Sequence, residues 1–318
     1  MTKIEGVLVT GGCGFVGANL VRFLRKHTEW SVRVLDDLRT GKESYLESDL
    51  AEVIVGDVAD EVTIEAAVRG VDAVVHLASQ TGVLPSVEDP LRDFRGNPLP
   101  TITLLETCRR LGVDRIVFAS SGAVLGNVTP PLHEDIVPQP LSPYGAGKLT
   151  GEAYCSAYAG SFGMSTASLR FSNVYGPYSQ HKRASAVPSF IMRSLRNEPI
   201  VIFGDGSQTR DFIHVDDLSS GILQCLLAEG IAGEVFQLAT GEETSIAELA
   251  TIVQRTTGSS AGIRFQERRK GEVYKSRVDI SKARDVLGFE PRIDLAEGVA
   301  GTATWYREHW LSAGDNPR

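Results

Sequence analysis

Tyr144 and Lys148 stand four residues apart in the run Tyr144-Gly-Ala-Gly-Lys148. On a helix that spacing places both on one face. A free tyrosine has a pKa of about 10 and is a poor base at neutral pH. A neighbouring ammonium favours the phenolate and lowers that value, so the pair could take a proton from a hydroxyl group. Ser121, just past the apolar run Arg115–Ala119, could hydrogen-bond the same substrate oxygen. Alone, a Tyr-x-x-x-Lys spacing is an ordinary helix start after Pro143 with a surface lysine, and a serine after a strand is an ordinary turn residue. The meaning of the trio depends on what precedes it.

What precedes it is a glycine-rich turn. The β-branched run Val7–Val9 leads into Gly11-x-x-Gly14-x-x-Gly17, with Phe15 and Val16 inside the turn. Val16, Leu20, Val21, Phe23 and Leu24 then repeat with helical period. A strand, tight turn and helix start of this kind present backbone N–H groups and a helix N-terminus to a pyrophosphate. The same spacing also occurs in βα turns that bind nothing. A second apolar run, Val32–Leu35, ends at Asp36, nineteen residues past Gly17. That is where a dinucleotide site places an acid for the adenosine ribose. The carboxylate would repel a 2′-phosphate, which favours NAD over NADP, although Arg39 and Lys42 lie close by. With a dinucleotide bound, the positive nicotinamide ring would also favour a Tyr144 phenolate.

Alternating elements would position these residues. Short apolar strands are expected at Val53–Val55, Ala73–Ala78, Arg115–Ala119 and Ser165–Phe171. Helices are expected at Val62–Val68, near Asn97–Leu111 and near Tyr144–Phe162, with an irregular Pro- and Asp-rich stretch before Asn97. Repeated βα units with continuously apolar strands give an α/β fold with a doubly wound parallel sheet. Past Asn173 the rhythm breaks into short elements, returns at Val215–Leu227 and Val235–Leu238, and ends in an amphipathic helix at Leu295–Trp310. The expected division is a cofactor-binding Rossmann domain of residues 1–174, rejoined by 211–238, and a smaller substrate-binding lobe of 175–210 and 239–318.

At 318 residues the chain is long enough for a sizeable core. Its net charge of −8 argues against nucleic acid as a partner. The basic cluster Arg264–Lys270 suits a local phosphate site better than a polyanion groove. No apolar run approaches the length of a membrane span. The first residues run straight into a strand without a signal-peptide core, and the four cysteines lack paired spacing. A cytoplasmic protein with reduced thiols is the expectation. No metal site is expected.

These motifs together give the chain a family resemblance. It resembles an extended short-chain dehydrogenase/reductase of the nucleotide-sugar epimerase/dehydratase type. The supporting residues are Thr10–Gly17, Leu35-Asp36-Asp37, Gly56-Asp57-Val58, His76–Gln80, Ala119–Ser121, Ser142–Tyr144 with Lys148, Arg170–Pro177 and Gly204–Asp217. The resemblance implies that Asp36 and Asp37 serve the cofactor, that Asp57 and Val58 flank the adenine, and that Leu77, Ala78 and Gln80 line the site. It implies that Lys148 holds the nicotinamide ribose, Asn173 touches the sugar nucleotide, and Arg210 and Arg269 bind its diphosphate. Ser276, seven positions past Arg269, would help set the room around the sugar.

Departures from the family pattern refine the reaction. Dehydrating members carry an acidic pair just after the strand-end serine or threonine, whereas here the chain reads Ser120-Ser121-Gly122-Ala123-Val124. Loss of water needs a general acid and base near the leaving group, so dehydration is disfavoured. Asn97-Pro98-Leu99-Pro100-Thr101 replaces the usual Asn-Val-x-Gly-Thr, which puts the helix start in question. Tyr178 stands where the family often has arginine. The resulting expectation is an NAD-dependent nucleotide-sugar 4-epimerase, with a UDP-sugar as substrate and a homodimer as assembly. A 4-ketoreductase or dehydratase of the same family, and a non-catalytic NAD- or nucleotide-sugar-binding protein, are the alternatives.

Overall fold

The computed structural model describes residues 3–182, 185–267 and 276–311. The first half is a series of βα units. β1 (Gly6–Thr10) and α1 (Phe15–His27) are followed by β2 (Ser31–Asp36), β3 (Glu52–Val55), α2 (Glu61–Val68) and β4 (Ala73–His76). Three helices come next, α3 (Val83–Glu88), α4 (Pro90–Gly96) and α5 (Pro98–Leu111), and then β5 (Arg115–Ser121), α6 (Pro143–Phe162) and β6 (Ser165–Phe171). The second half contains β7 (Asn173–Tyr175), α7 (Ala186–Leu195), β8 (Ile200–Phe203), β9 (Thr209–Arg210), β10 (Phe212–His214), α8 (Val215–Leu227) and β11 (Glu234–Leu238). It closes with β12 (Thr244–Ser245), α9 (Ile246–Thr257), β13 (Ile263–Gln266), α10 (Ser281–Leu287) and α11 (Leu295–Tyr306).

Seven parallel strands form the main sheet in the order β11-β6-β5-β4-β1-β2-β3. The chain builds outward from β1 to β3, then crosses to the other side of β1 with β4. Strand order therefore reverses between β1 and β4, and a crevice opens at their C-terminal ends, where open α/β sheets bind ligands. Both faces of the sheet are covered. On one, Leu20 and Leu24 of α1 meet Leu218 and Ile222 of α8 over Val7, Val9 and Val75. On the other, Ile64 of α2, Leu104 of α5 and Cys155 of α6 cover Leu8, Val74 and Phe118. The four cysteines are buried and free.

Prolines misled the sequence reading in two places. The stretch before Asn97 is helical, not irregular. Asp89 caps α4 by accepting from the Arg92 N–H at 2.9 Å, and Pro90 occupies the first helical position. α5 likewise begins at Pro98 with Pro100 in its first turn. First-turn N–H groups have no partner inside a helix, so a proline there forfeits nothing. The same rule admits Pro188 in the first turn of α7, a ten-residue helix within a region expected to hold only short elements. At the C-terminus the α-helix ends at Tyr306 and continues as a wider turn over Arg307–Leu311.

Residues outside the main sheet make their own core, with Phe190 and Ile191 of α7, Ile202 of β8, Leu249 and Val253 of α9, and Val299 and Tyr306 of α11. The chain passes between this core and the main sheet near residues 172, 211 and 240, and Asp211 joins all three passages. Its carboxylate accepts from Thr240 N and Oγ1 and from Gly241 N, each at 2.8 Å. Its backbone carbonyl accepts from Ser172 Oγ at 2.7 Å and from Asn173 N at 3.1 Å.

Candidate active site

The crevice beside β1 is lined by Gly11, Gly14, Phe15, Val16 and Gly17 from the glycine turn. A Cβ at Gly17 would lie 2.2 Å from the Gly11 carbonyl oxygen. The turn thus closes only with glycine there, and its backbone faces the crevice as a phosphate cradle requires. Asp36, at the end of β2, is 7% exposed and accepts from Cys13 N and Leu38 N, each at 2.9 Å. Its carboxylate thus braces the glycine turn as well as lining the crevice. Burial pushes its pKa above the ordinary carboxylate value, and the two backbone donors oppose that. Asp37 and Asp57 share Arg39, which donates to both, so the guanidinium near the expected adenosine end is already flanked by two acids.

Leu77 and Ala78 line the same crevice with Gln80 and Val58. β4 stops at His76, two residues short of the expected end; Leu77 N still donates to Thr10 O, whereas Ala78 N donates to the Thr10 side chain instead of the backbone. Ser79 and Thr81, further along this segment, line the crevice too. These groups fit a dinucleotide: a glycine turn at a helix N-terminus, an acid at the end of the second strand, and apolar walls.

A second cavity adjoins the first and is lined by Ser121, Tyr144, Lys148, Asn173 and Arg210. β5 runs two residues further than expected, which carries Ser121 to the rim. The Ser142 hydroxyl caps α6 by accepting from Gly145 N at 3.1 Å, and this starts the helix at Pro143 with Tyr144 in its first turn. Lys148 follows one turn on and is 4% exposed. Its Nζ donates to the Ala119 carbonyl at 2.8 Å and lies 5.1 Å from the Phe118 ring centre and 5.9 Å from the Tyr144 ring centre. Burial brings its pKa down to about 8, and the Asp93 carboxylate opposes the fall.

Tyr144 departs from the sequence expectation. Burial pushes its pKa above 10; a hydrogen bond with Ser121 lowers it, and the charge of Asp93 raises it further. The Lys148 ammonium is committed to a carbonyl and lies over the ring, so it does not outweigh burial of the phenol. Among the described residues, Ser121 is the group that lowers its pKa.

Arg210 and Asn173 sit at the far side of this cavity. The Asn173 amide donates to the Asp211 carbonyl at 3.1 Å, and Arg210 donates to the Thr209 carbonyl at 2.7 Å. Asp211 faces Thr240 and Gly241 instead of pairing locally with the arginine. Ser276 N donates to Thr209 Oγ1 at 3.3 Å, which places Ser276 beside the strand that carries Arg210. Arg269 lies outside the described residues. The site also includes Lys182, which the sequence reading missed. Lys182 lines both cavities, its Nζ stands 5.2 Å from the Phe15 ring centre, and no carboxylate among the described residues pairs with it. Burial lowers its pKa. A lone lysine in a polar loop carries no periodic signal. None of the described residues lining the second cavity is an aspartate or glutamate.

A model of the NAD dependent epimerase/dehydratase family matches residues 7–239. A putative UDP-glucose 4-epimerase of Methanocaldococcus jannaschii is 39% identical over 307 residues, covering 95% of this chain and 99% of that protein. The structure of a UDP-glucose 4-epimerase from Thermotoga maritima with UDP-glucose superposes with a TM-score of 0.90 at 35% identity, over 95% of this chain and 99% of that one. A UDP-N-acetylglucosamine 4-epimerase from Methanobrevibacter ruminantium, in complex with UDP-N-acetylmuramic acid, superposes with a TM-score of 0.90 at 31% identity, over 96% and 99%.

Proposed function

The chain belongs to the NAD dependent epimerase/dehydratase family, and from that premise we propose that it is a nucleotide-sugar 4-epimerase acting on a UDP-sugar. The observation that carries the choice of reaction is the second cavity. Ser121, Tyr144 and Lys148 converge there, and no described lining residue is a carboxylic acid. Proton transfer at one hydroxyl is thereby provided for, whereas elimination of water finds no carboxylic acid among the described lining residues. A non-catalytic NAD-binding protein would have a use for Lys148 but none for Ser121 and Tyr144 facing the same cavity.

NAD, when bound, supplies a reversible hydride acceptor for C4 of the sugar. Tyr144 takes the proton from the 4-hydroxyl as C4 becomes a ketone, and returns it when the alcohol re-forms with the opposite configuration. Ser121 shares the same oxygen and favours the phenolate. Lys148 holds the nicotinamide ribose, and its charge stays close to the tyrosine ring. Gly11, Gly14, Phe15, Val16 and Gly17 receive the cofactor pyrophosphate, Asp36 and Asp37 the ribose, and Asp57, Val58, Leu77, Ala78 and Gln80 complete its walls. Asn173, Arg210 and Arg269 hold the sugar nucleotide, the guanidinium forks suiting phosphate oxygens.

We assign residues 1–174 and 211–238 to the cofactor domain and 175–210 and 239–318 to the substrate lobe. The protein is placed in the cytoplasm, in keeping with its free thiols and with the finding that no described helix is long and apolar enough to cross a membrane. A homodimer through α5 and α6 is supported by Leu99, Tyr154 and Phe162, which are 41%, 38% and 54% exposed on those helices.

Incubation with a panel of nucleotide sugars, followed by NMR, tests the reaction. One pair of UDP-sugar 4-epimers should equilibrate without net consumption of reductant. An accumulating keto sugar, or stoichiometric NADH consumption, would replace this reading with the dehydratase or ketoreductase one. Ser276→Tyr in the same assay should depress turnover of a UDP-N-acetylhexosamine far more than that of the plain UDP-hexose, since added bulk excludes only the larger sugar. An unchanged ratio of specificity constants would remove Ser276 from the sugar pocket.

Asp36→Ala should weaken NAD more than NADP. It removes the ribose contacts and also the repulsion of a 2′-phosphate. The bracing of Cys13 and Leu38 is lost for both cofactors, so both affinities should fall, NAD by the larger factor. Equal losses by fluorescence titration would reduce Asp36 to a brace of the turn.

A further inference from the structure

We propose that Asp93 is a positioning residue of the reaction: its buried carboxylate packs against the turn of α6 between Tyr144 and Lys148 and serves as the counter-charge of that pair. The inference rests on the reading of Tyr144 as the base.

Asp93 lies on α4 and is 2% exposed. Its Oδ1 accepts from Asn97 Nδ2 at 2.8 Å. A Cβ placed on Gly147 would lie 3.2 Å from its Oδ2 and 3.3 Å from both Asn97 Cβ and Pro98 Cδ. The carboxylate thus lies beside the place a side chain at Gly147 would take on α6, one residue before Lys148 and three after Tyr144. A buried carboxylate with one amide donor is costly unless a cation offsets its charge. No arginine or lysine among the described residues forms a salt bridge with it, and Lys148 is the cation whose charge acts on it. In return Asp93 opposes the effect of burial on Lys148 and raises Tyr144.

The other groups around the pair do not duplicate this role. His76 on β4 hydrogen-bonds Thr10 Oγ1 and Thr101 Oγ1, and burial with the nearby Lys148 charge keeps it neutral, its pKa about 3. β5 contributes the Ala119 carbonyl. On α6 itself Glu152 is bound by Arg170 of β6 and by Ser120. Glu106 of α5 is engaged by Arg109 and Tyr158, and Glu88 of α3 is exposed. The same Asn97 amide that donates to Asp93 also donates to Gln80 O at 3.0 Å, and Asn97 Oδ1 accepts from Ser79 Oγ at 2.6 Å. Ser79 and Gln80 wall the cofactor crevice. Asp93 therefore ties the tyrosine–lysine pair to the wall against which the cofactor must lie.

The test is an ultraviolet titration of tyrosinate in the NAD-loaded protein, read as the difference from Tyr144→Phe, for the wild type and for Asp93→Asn. Removing a negative charge lowers the pKa of both members of a coupled pair, so its first proton should leave at lower pH, by about one unit. The acid limb of kcat/KM should move the same way. A titration midpoint and acid limb both unchanged would overturn the proposal and leave Asp93 a packing residue. Should Asp93→Asn lower Tm sharply, Asp93→Ser, which is smaller and keeps an oxygen for Asn97, is read by the same criterion. Absence of turnover with every nucleotide sugar would overturn the epimerase reading, while the tyrosinate titration would still decide the role of Asp93.

Discussion

Tyr144→Phe is expected to lower epimerase turnover by about a hundred- to ten-thousand-fold, the usual worth of positioned acid–base catalysis, while NAD and UDP-sugar affinities stay within a few-fold. Only the phenol oxygen is removed. The ring, its place in the first turn of α6 and the Lys148 contact over its face are kept. The half-reaction sharpens the result: oxidation at C4, followed as absorbance of reduced NAD in a single turnover, should slow as well, because the 4-hydroxyl must lose its proton for C4 to become a ketone. A variant that retains more than a tenth of wild-type turnover would show that another group, with Ser121 the nearest, takes the proton.

Glu152→Ala should cost about 3–5 kcal/mol of folding stability, the typical result of stranding one member of a buried ion pair. Glu152 and Arg170 are 5% and 3% exposed. The guanidinium donates through Nε and Nη2 to the two carboxylate oxygens, each at 2.8 Å, and the Ser120 hydroxyl donates to the same carboxylate at 2.5 Å. Arg170 Nη1 already lacks a partner, so without Glu152 almost the whole charge would sit in the interior unanswered. Urea unfolding of the two proteins would measure the difference. Because Ser120 precedes Ser121, a loss of turnover should accompany the loss of stability even where the variant is fully folded. A cost under about 1 kcal/mol would mean that water reaches the arginine.

The sheet and the crevice beside β1 were legible in the sequence because their signals are local. Val7–Val9 and Ala73–Val75 are apolar on both faces, and the Gly11–Gly17 turn has room for nothing but glycine at position 17. What escaped was of two kinds. α3 and α4 were hidden by Pro85 and Pro90, which read as helix breakers unless their place in a first turn is known, and Asp89, the cap that gives it away, looked like part of a polar loop. Asp93 and Lys182 were missed for another reason: each faces the site only through contacts with distant segments, Asp93 with Gly147 and Lys182 with Phe15. The Tyr144–Lys148 spacing did bring both side chains to one cavity. It carried no information on how deeply the phenol would be buried, and burial decides the direction of its pKa.

Asp211 bears on how an epimerised sugar could be inverted. Three chain passages meet at one residue, which is fully buried and bonded by carboxylate and carbonyl to both sides. Opening the molecule at this joint would have to break these bonds together, and each buried group left unpaired carries a cost. With the joint closed, a ketone would present its opposite face through torsions of the ligand itself, about the bonds that join sugar to diphosphate. The small side chains of Ser120, Ser121, Ser172 and Ala186 line the cavity in which that turn would take place.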